Sequence, residues 1–365
     1  MNVPFVCIDR KWLALRDKAR AAVEQTFQSG RFILGPEVEK FENAFAGYCG
    51  ADYCVGVGNG LDAITLSLRA CGVGPGDEVL VPAHTFIATW LAVSNIGAQP
   101  VPVEVDAATY NMNPDRIRAA VTNKTKAIIV VHLYGQPADV DQINRIAKEA
   151  ELAVIEDAAQ AHGAKYKERP AGSLCDVAAF SFYPTKNLGC IGDGGAIVTS
   201  NKDIAEKVRR WGNYGSDQKY IHTEAGVNSR LDEIQAGILN VCLPELEAWN
   251  ARRNEIANRY IEKLTGDLIQ LPKKVDSIAH VWHLFVVQVP NRVDFQDRLQ
   301  RKGVNTLVHY PIPPHMQDPY MDNFGRDVSL TITENLSERI VSLPMDPFLT
   351  DDEVDYVCEC VNDIL

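Results

Sequence analysis

The chain has 365 residues, 46% of them hydrophobic and 23% charged, with 48 acidic against 36 basic side chains and a formal charge of −12. That balance argues against a broadly basic surface for nucleic acid or anionic membrane, so an anionic ligand must meet positive charge gathered locally. The length allows a sizeable core, and typical domain sizes of roughly 100–200 residues point to two units.

Residues 1–12 carry Asp9, Arg10 and Lys11 where a secretory signal needs an unbroken apolar run, and no later segment is apolar for the length of a membrane span. The nine cysteines are scattered and none is spaced C-x-x-C. The pattern predicts reduced, mostly buried thiols in the cytoplasm, not a disulfide scaffold or a zinc site.

In chain order, short β-branched runs predict strands at residues 78–82, 99–105, 126–132, 152–156, 177–182 and 196–199. Several are apolar almost throughout, as strands covered on both faces are. Between them lie helical patterns at 61–71, 139–150 and 202–211; in the first, Leu61, Ile64, Leu68 and Cys71 recur at helical spacing. Alternation of this kind predicts a mainly parallel α/β sheet. Past residue 230 the pattern changes to a long helical stretch over 231–264, with a break expected near Pro244. A strand at 283–289, a helix at 295–301, a proline-rich loop at 309–315 and a final helix at 351–365 follow. The expected organisation is a larger α/β unit over residues 1–245 and a smaller α+β unit over 246–365.

In an open parallel sheet a ligand lies beyond the carboxyl ends of the strands, so the residues after each run carry the chemistry. Gly58-Asn59-Gly60-Leu61-Asp62-Ala63 opens the first predicted helix. Its glycines let the backbone approach an anion and its free N–H groups can hold a phosphate, although an ordinary Asn-Gly turn reads the same way. Residues 82–89 carry Phe86, a ring that can stack on a planar ligand or fill a core. Asp157, just past an apolar run, can pair with a protonated heterocyclic nitrogen, while Asp157-x-x-Gln160 also has the form of a helix cap. Lys186 follows a buried run in apolar surroundings, with Ser181 five residues earlier. Burial disfavours the ammonium and makes the amine a better nucleophile, whereas most lysines are simply solvated. Each segment alone is weak. Together, on one sheet, they form a phosphate cradle, a stacking ring, a ring-nitrogen partner and a Schiff-base lysine, the contacts that pyridoxal 5′-phosphate (PLP) requires.

With Ser29-Gly30-Arg31-Phe32-Ile33-Leu34-Gly35-Pro36, Gly226-Val227-Asn228-Ser229-Arg230-Leu231-Asp232-Glu233-Ile234-Gln235-Ala236 and the His309-Tyr310-Pro311 to His315 loop, these segments resemble the DegT/DnrJ/EryC1/StrS family of sugar aminotransferases. The likeness runs over nearly the whole chain and implies the aspartate aminotransferase (type I) fold. It further implies that Lys186 forms the Schiff base, that Asp157 keeps the ring nitrogen protonated, and that Phe86 stacks on the ring with Gln160 near its 3-hydroxyl. Gly60, Leu61 and Ser181 would contact the phosphate. Asn228 would reach that phosphate from the neighbouring subunit, which implies a homodimer with shared sites.

Some members of the family carry histidine at the lysine position and act as dehydratases, so Lys186 favours transamination. The implied reaction moves an amino group, with glutamate as the expected donor, to a nucleotide-linked keto sugar, Lys186 shuttling the proton. His132-Leu133-Tyr134-Gly135-Gln136-Pro137-Ala138-Asp139 and the 58–63 segment look more like the subgroup acting on 3-keto-6-deoxy sugars linked to dTDP than like the 4-keto subgroup. Tyr183, Lys219, His309, Tyr310 and His315 are the candidate sugar-nucleotide contacts, against plainer readings as a stiff proline-rich loop and a surface charge. The rivals are a 4-keto-sugar aminotransferase, an amino-cyclitol enzyme of the same family, and a PLP-binding regulatory protein without catalysis. No DNA-binding segment is recognised beside the core. His280-x-x-His283 has no third ligand at a recognised spacing, so no metal site is expected.

Overall fold

The computed structural model describes residues 1–324 and 330–365. Its central sheet has seven strands: β1 (Tyr53–Val57), β2 (Glu78–Pro82), β3 (Gln99–Val103), β4 (Thr125–Val131), β5 (Ala153–Asp157), β6 (Val177–Ser181) and β7 (Gly195–Thr199). Their order across the sheet is β1-β7-β6-β5-β4-β2-β3. The pairs from β6 to β3 are parallel, whereas β7 is antiparallel to both of its neighbours. The expected mainly parallel sheet therefore forms, with one reversed strand. Residues 182–194, which join β6 to β7, contain no helix to carry the chain across the sheet, so the chain doubles back. That returning loop carries Lys186.

Side chains alternate across each strand, and β4 shows the consequence. Ile128 and Val130 enter one core, packed under α1 (Ile8–Ser29) and α2 (Pro36–Cys49) with the helices Val140–Glu149 and Glu233–Cys242. Ala127, Ile129 and Val131 enter a second core on the opposite face, under α3 (Gly60–Ala70), α4 (Ile87–Asn95) and the helix Lys202–Gly212. A third core joins Val3 and Cys7 to Tyr260, Trp282, Phe285, Leu343 and Val361. It surrounds the antiparallel pair of strands Phe285–Gln288 and Ile340–Leu343, flanked by helices Leu246–Lys263 and Asp351–Ile364. Thr350 and Glu353 close a reciprocal capping box at the start of the last helix.

The long helical stretch divides as expected at Pro244, into Glu233–Cys242 and Leu246–Lys263 with a single tight turn between them. Among the elements not expected from the sequence pattern are α1, α2, α4, β1 and the strand Ile340–Leu343. In α1 a sparse stripe of Trp12, Leu15, Ala19 and Val23 packs on the first core, but charged residues separate its members and only Lys11, Leu15 and Thr26 are fully buried. The residues of α4, IATWLAVSN, are apolar nearly all round and carry no helical period.

Candidate active site

The carboxyl ends of β4, β5 and β6 and the start of α3 open on a cleft of about 370 Å³. Gly60, Leu61, Phe86, Asp157, Gln160, Ser181, Tyr183, Lys186, His309 and Tyr310 all line it. Residues expected from separate segments of the chain thus meet in one place.

The anion cradle forms where α3 begins. Asn59 caps the helix, its side-chain oxygen accepting from Asp62 N at 2.8 Å. A Cβ on Gly60 would lie 2.7 Å from Ser181 Cβ, so only glycine lets the helix start this close to the end of β6. Ser229 locks the turn from outside: its hydroxyl accepts from Gly58 N at 3.0 Å and donates to Asp62 Oδ2 at 2.6 Å. The first N–H groups of α3 and the Ser181 hydroxyl can together hold a phosphate.

Asp157 is buried, with Oδ2 accepting from the Thr89 hydroxyl at 2.8 Å and Oδ1 from Ala159 N at 3.2 Å. Burial pushes its carboxyl up; the Thr89 and Ala159 donors, and then the charge of Lys186, oppose that push. A cationic N–H facing the carboxylate would favour the ionised form further. No helix starts here, because the chain after Asp157 turns instead, so the helix-cap reading of Asp157-x-x-Gln160 is not what forms. Gln160 is held at both ends, accepting from Tyr134 N at 2.6 Å and donating to the Tyr310 hydroxyl at 3.1 Å. Phe86 is 54% exposed despite being a phenylalanine, and it faces Tyr310 across 5.4 Å between ring centroids. The two rings give the cleft an apolar wall that a flat heterocycle can cover.

Lys186 sits in a tight turn, its backbone N donating to the Tyr183 carbonyl at 2.8 Å. Burial lowers its amine from 10.5 to about 8, with Asp157 pulling the other way. Behind the opposite wall, the Tyr134 hydroxyl donates to the His309 carbonyl and accepts from His84 Nε2 at 2.8 Å. His309 Nδ1 lies 2.8 Å from Ser342 Oγ. Burial drops both His84 and His309 to about 4, so both rings are neutral at pH 7. An aromatic wall, a buried carboxylate, an anion cradle and a half-buried amine within one cleft fit the chemistry of PLP.

Three expected residues do not line this cleft. His315 sits in the turn Pro314–Met316, with Nε2 at 3.3 Å from Glu334 Oε1. Lys219 and Asn228 lie exposed on the outer surface, the Lys219 ammonium 5.2 Å from the Tyr220 ring centroid. Conversely, Thr89, Asp193 and His283 were not expected in this cleft; the first holds Asp157 and the others line it. The four-residue spacing of Thr85 and Thr89, whose hydroxyls meet at 2.9 Å, was the available signal.

A family model described as the DegT/DnrJ/EryC1/StrS aminotransferase family matches residues 14–362. The chain is 50% identical over 360 residues to the dTDP-3-amino-3,6-dideoxy-alpha-D-galactopyranose transaminase of Aneurinibacillus thermoaerophilus, with 99% of each chain covered. It is 47% identical over 349 residues to the dTDP-3-amino-3,4,6-trideoxy-alpha-D-glucose transaminase of Streptomyces venezuelae, covering 95% of this chain and 92% of that one. The solved structure of S. venezuelae DesV in complex with a ketimine intermediate matches with a TM-score of 0.98 at 45% identity, covering 100% of this chain and 98% of the other. On the fold, the cleft and these likenesses, the chain belongs to the DegT/DnrJ/EryC1/StrS aminotransferase family.

Proposed function

We propose that this protein is a PLP-dependent aminotransferase that moves an amino group, from glutamate as the expected donor, to C-3 of a dTDP-linked 3-keto-6-deoxyhexose. The observation that carries the reading is half-buried Lys186 and buried Asp157, both lining one cleft whose end is the Gly60–Ser181 cradle. When bound, PLP supplies an electron sink that makes the carbon bearing the transferred nitrogen acidic.

The chain's own residues do the rest. Asp157 holds the ring nitrogen, Phe86 covers the ring face, Gln160 stands near the ring hydroxyl, and Gly60, Leu61 and Ser181 bind the phosphate. Lys186 Nζ, lowered to about 8, is partly neutral at physiological pH and serves as the base that removes and returns the proton. Tyr183, His309 and Tyr310 flank the cleft as sugar contacts. The choice of C-3 is supported by the two dTDP-3-amino-sugar transaminases among the relatives.

A homodimer completes the reading, with Asn228 and Lys219 reaching the partner's cleft. Its support is apolar surface left open near those segments: Phe32, Ile33, Leu34 and Val227 are each more than two-fifths exposed. The division into units at 1–245 and 246–365 is supported by the third core, which draws on the second unit and borrows Val3 and Cys7. A cytoplasmic setting is supported by nine free, mostly buried thiols. Among the described residues no helix is long and apolar enough to cross a membrane.

Nitrogen-15-labelled glutamate, supplied with dTDP-linked 3-keto and 4-keto substrates in parallel, tests the assignment by NMR of the products. Label at C-3 is the expected outcome. Label only at C-4 would replace the 3-keto reading with its 4-keto rival.

A further inference from the structure

Deep in the cleft stands one side chain for which the proposed reaction has as yet no use. His283 is buried and lines the same cleft as Lys186. A chain of buried amides fixes how its ring is turned. Asn187, next in sequence to Lys186, spends both amide protons: its Nδ2 lies 2.9 Å from Asn250 Oδ1 and 2.9 Å from the Val281 carbonyl oxygen. Asn250 in turn donates its own Nδ2 to the His162 carbonyl at 2.9 Å, which confirms its Oδ1 as the acceptor. Asn187 Oδ1 can therefore only accept, and it lies 3.1 Å from His283 Nδ1. The ring proton is on Nδ1.

Burial, then the charges of Lys186 and Arg253, drops the His283 pKa well below its ordinary value, so the ring is neutral and Nε2 keeps a bare lone pair. The backbone that carries it is also held. Arg253 Nη1 donates to the carbonyls of Trp282 at 3.2 Å, His283 at 3.4 Å and Met345 at 3.0 Å. Among the described residues, Nδ1 is the ring atom that is engaged and Nε2 has no hydrogen-bond partner.

Resting on the reading of Lys186 as the reactive amine, we propose that His283 is a positioning residue whose Nε2 lone pair accepts from the Lys186 amine and holds it toward the reacting carbon. Lys186 and Asn187 are neighbours in one turn, so the hydrogen bond between His283 and Asn187 ties the ring to the segment that carries the amine. The other groups facing this pair are Asp157 at the end of β5, His162 beyond it, His309 from the proline-rich loop and Arg253 from the helix Leu246–Lys263. Asp157 favours the ammonium, and an acceptor on His283 favours it further. Removing that acceptor alone lowers the pH at which Lys186 becomes neutral.

Two variants separate the halves of the imidazole. His283→Asn keeps a donor near the Nδ1 position for Asn187 and deletes the acceptor; His283→Gln reaches the Nε2 position and restores one. The measurement is the rate at which apoprotein captures PLP, followed by visible absorbance across pH, with melting temperatures recorded alongside. The midpoint in His283→Asn is expected about one pH unit below wild type, with His283→Gln near wild type. Equal midpoints in all three proteins, or the same shift in both variants, would overturn the proposal.

Should His283→Asn fail to fold, nitrogen-15 NMR of the wild-type ring decides. An unprotonated Nε2 whose shift moves in Lys186→Ala is expected; a protonated Nε2, or an unmoved shift, contradicts the assignment. A wild type that captures no PLP sinks the parent reading as well, whereas unchanged midpoints in proteins that do capture it sink this inference alone.

Discussion

An ammonium withdrawn from water raises the free energy of the folded chain, and Lys186 carries that cost for the sake of a reactive amine. Its amine falls from 10.5 to about 8, a depressed base, so the penalty is complete below pH 8 and disappears as pH rises through 10.5. Lys186→Met should accordingly stabilise the apoprotein at pH 7, by up to about 3 kcal/mol before screening by solvent in the open cleft is discounted. The gain should shrink as the melt is repeated between roughly pH 8 and 10.5. A variant no more stable than wild type at pH 7 would mean that Lys186 is not desolvated. At this scale Lys186, Asp157 and Phe86 were legible because each lies just past a predicted strand, where ligands bind, and Gly60 because it opens a predicted helix. Thr89 and His283 were not, since their roles depend on contacts with Asp157 and Asn187 that lie 68 and 96 residues away in sequence.

Elements of this fold are closed by residues far along the chain, which is why several escaped the sequence pattern. The start of α2 has no side-chain cap of its own. Instead the buried carboxylate of Glu233 accepts from Gly35 N at 2.9 Å, Glu37 N at 2.5 Å and Val38 N at 3.3 Å. Gly35 is required beside it, because a Cβ there would come within 2.6 Å of Glu233 Oε1. Removing the carboxylate strands three N–H groups at a buried helix end. Glu233→Ala should therefore lower stability by roughly 2–4 kcal/mol in chemical denaturation, while Glu233→Gln, which keeps an acceptor, should lose less. Equal losses in the two variants would show that the carboxylate acts by filling space, not by capping. The sequence marked the 226–236 segment through family likeness, yet nothing in the local pattern of α2 said that its cap lay there.

Across the whole molecule, alternation of apolar runs and helical patterns was enough to read a mainly parallel α/β sheet. It was not enough to read the reversal of β7, which follows from the loop that carries Lys186. The cleft draws His283, His309 and Tyr310 from the C-terminal part of the chain to face residues supplied by β5, β6, α3 and the start of α4. Substrate contacts were harder to read than cofactor contacts for that reason: a proline-rich loop shows its stiffness in sequence but not which way its rings turn, and His315 turned to Glu334. The central claim is that this assembled cleft binds PLP through Lys186 and accepts nitrogen from an amino donor. Visible absorbance of PLP-treated wild type and Lys186→Ala, before and after glutamate, tests it most directly. Wild type should show a visible band that glutamate bleaches, and Lys186→Ala should never show it. A wild type without that band, or an equal band in Lys186→Ala, would contradict it.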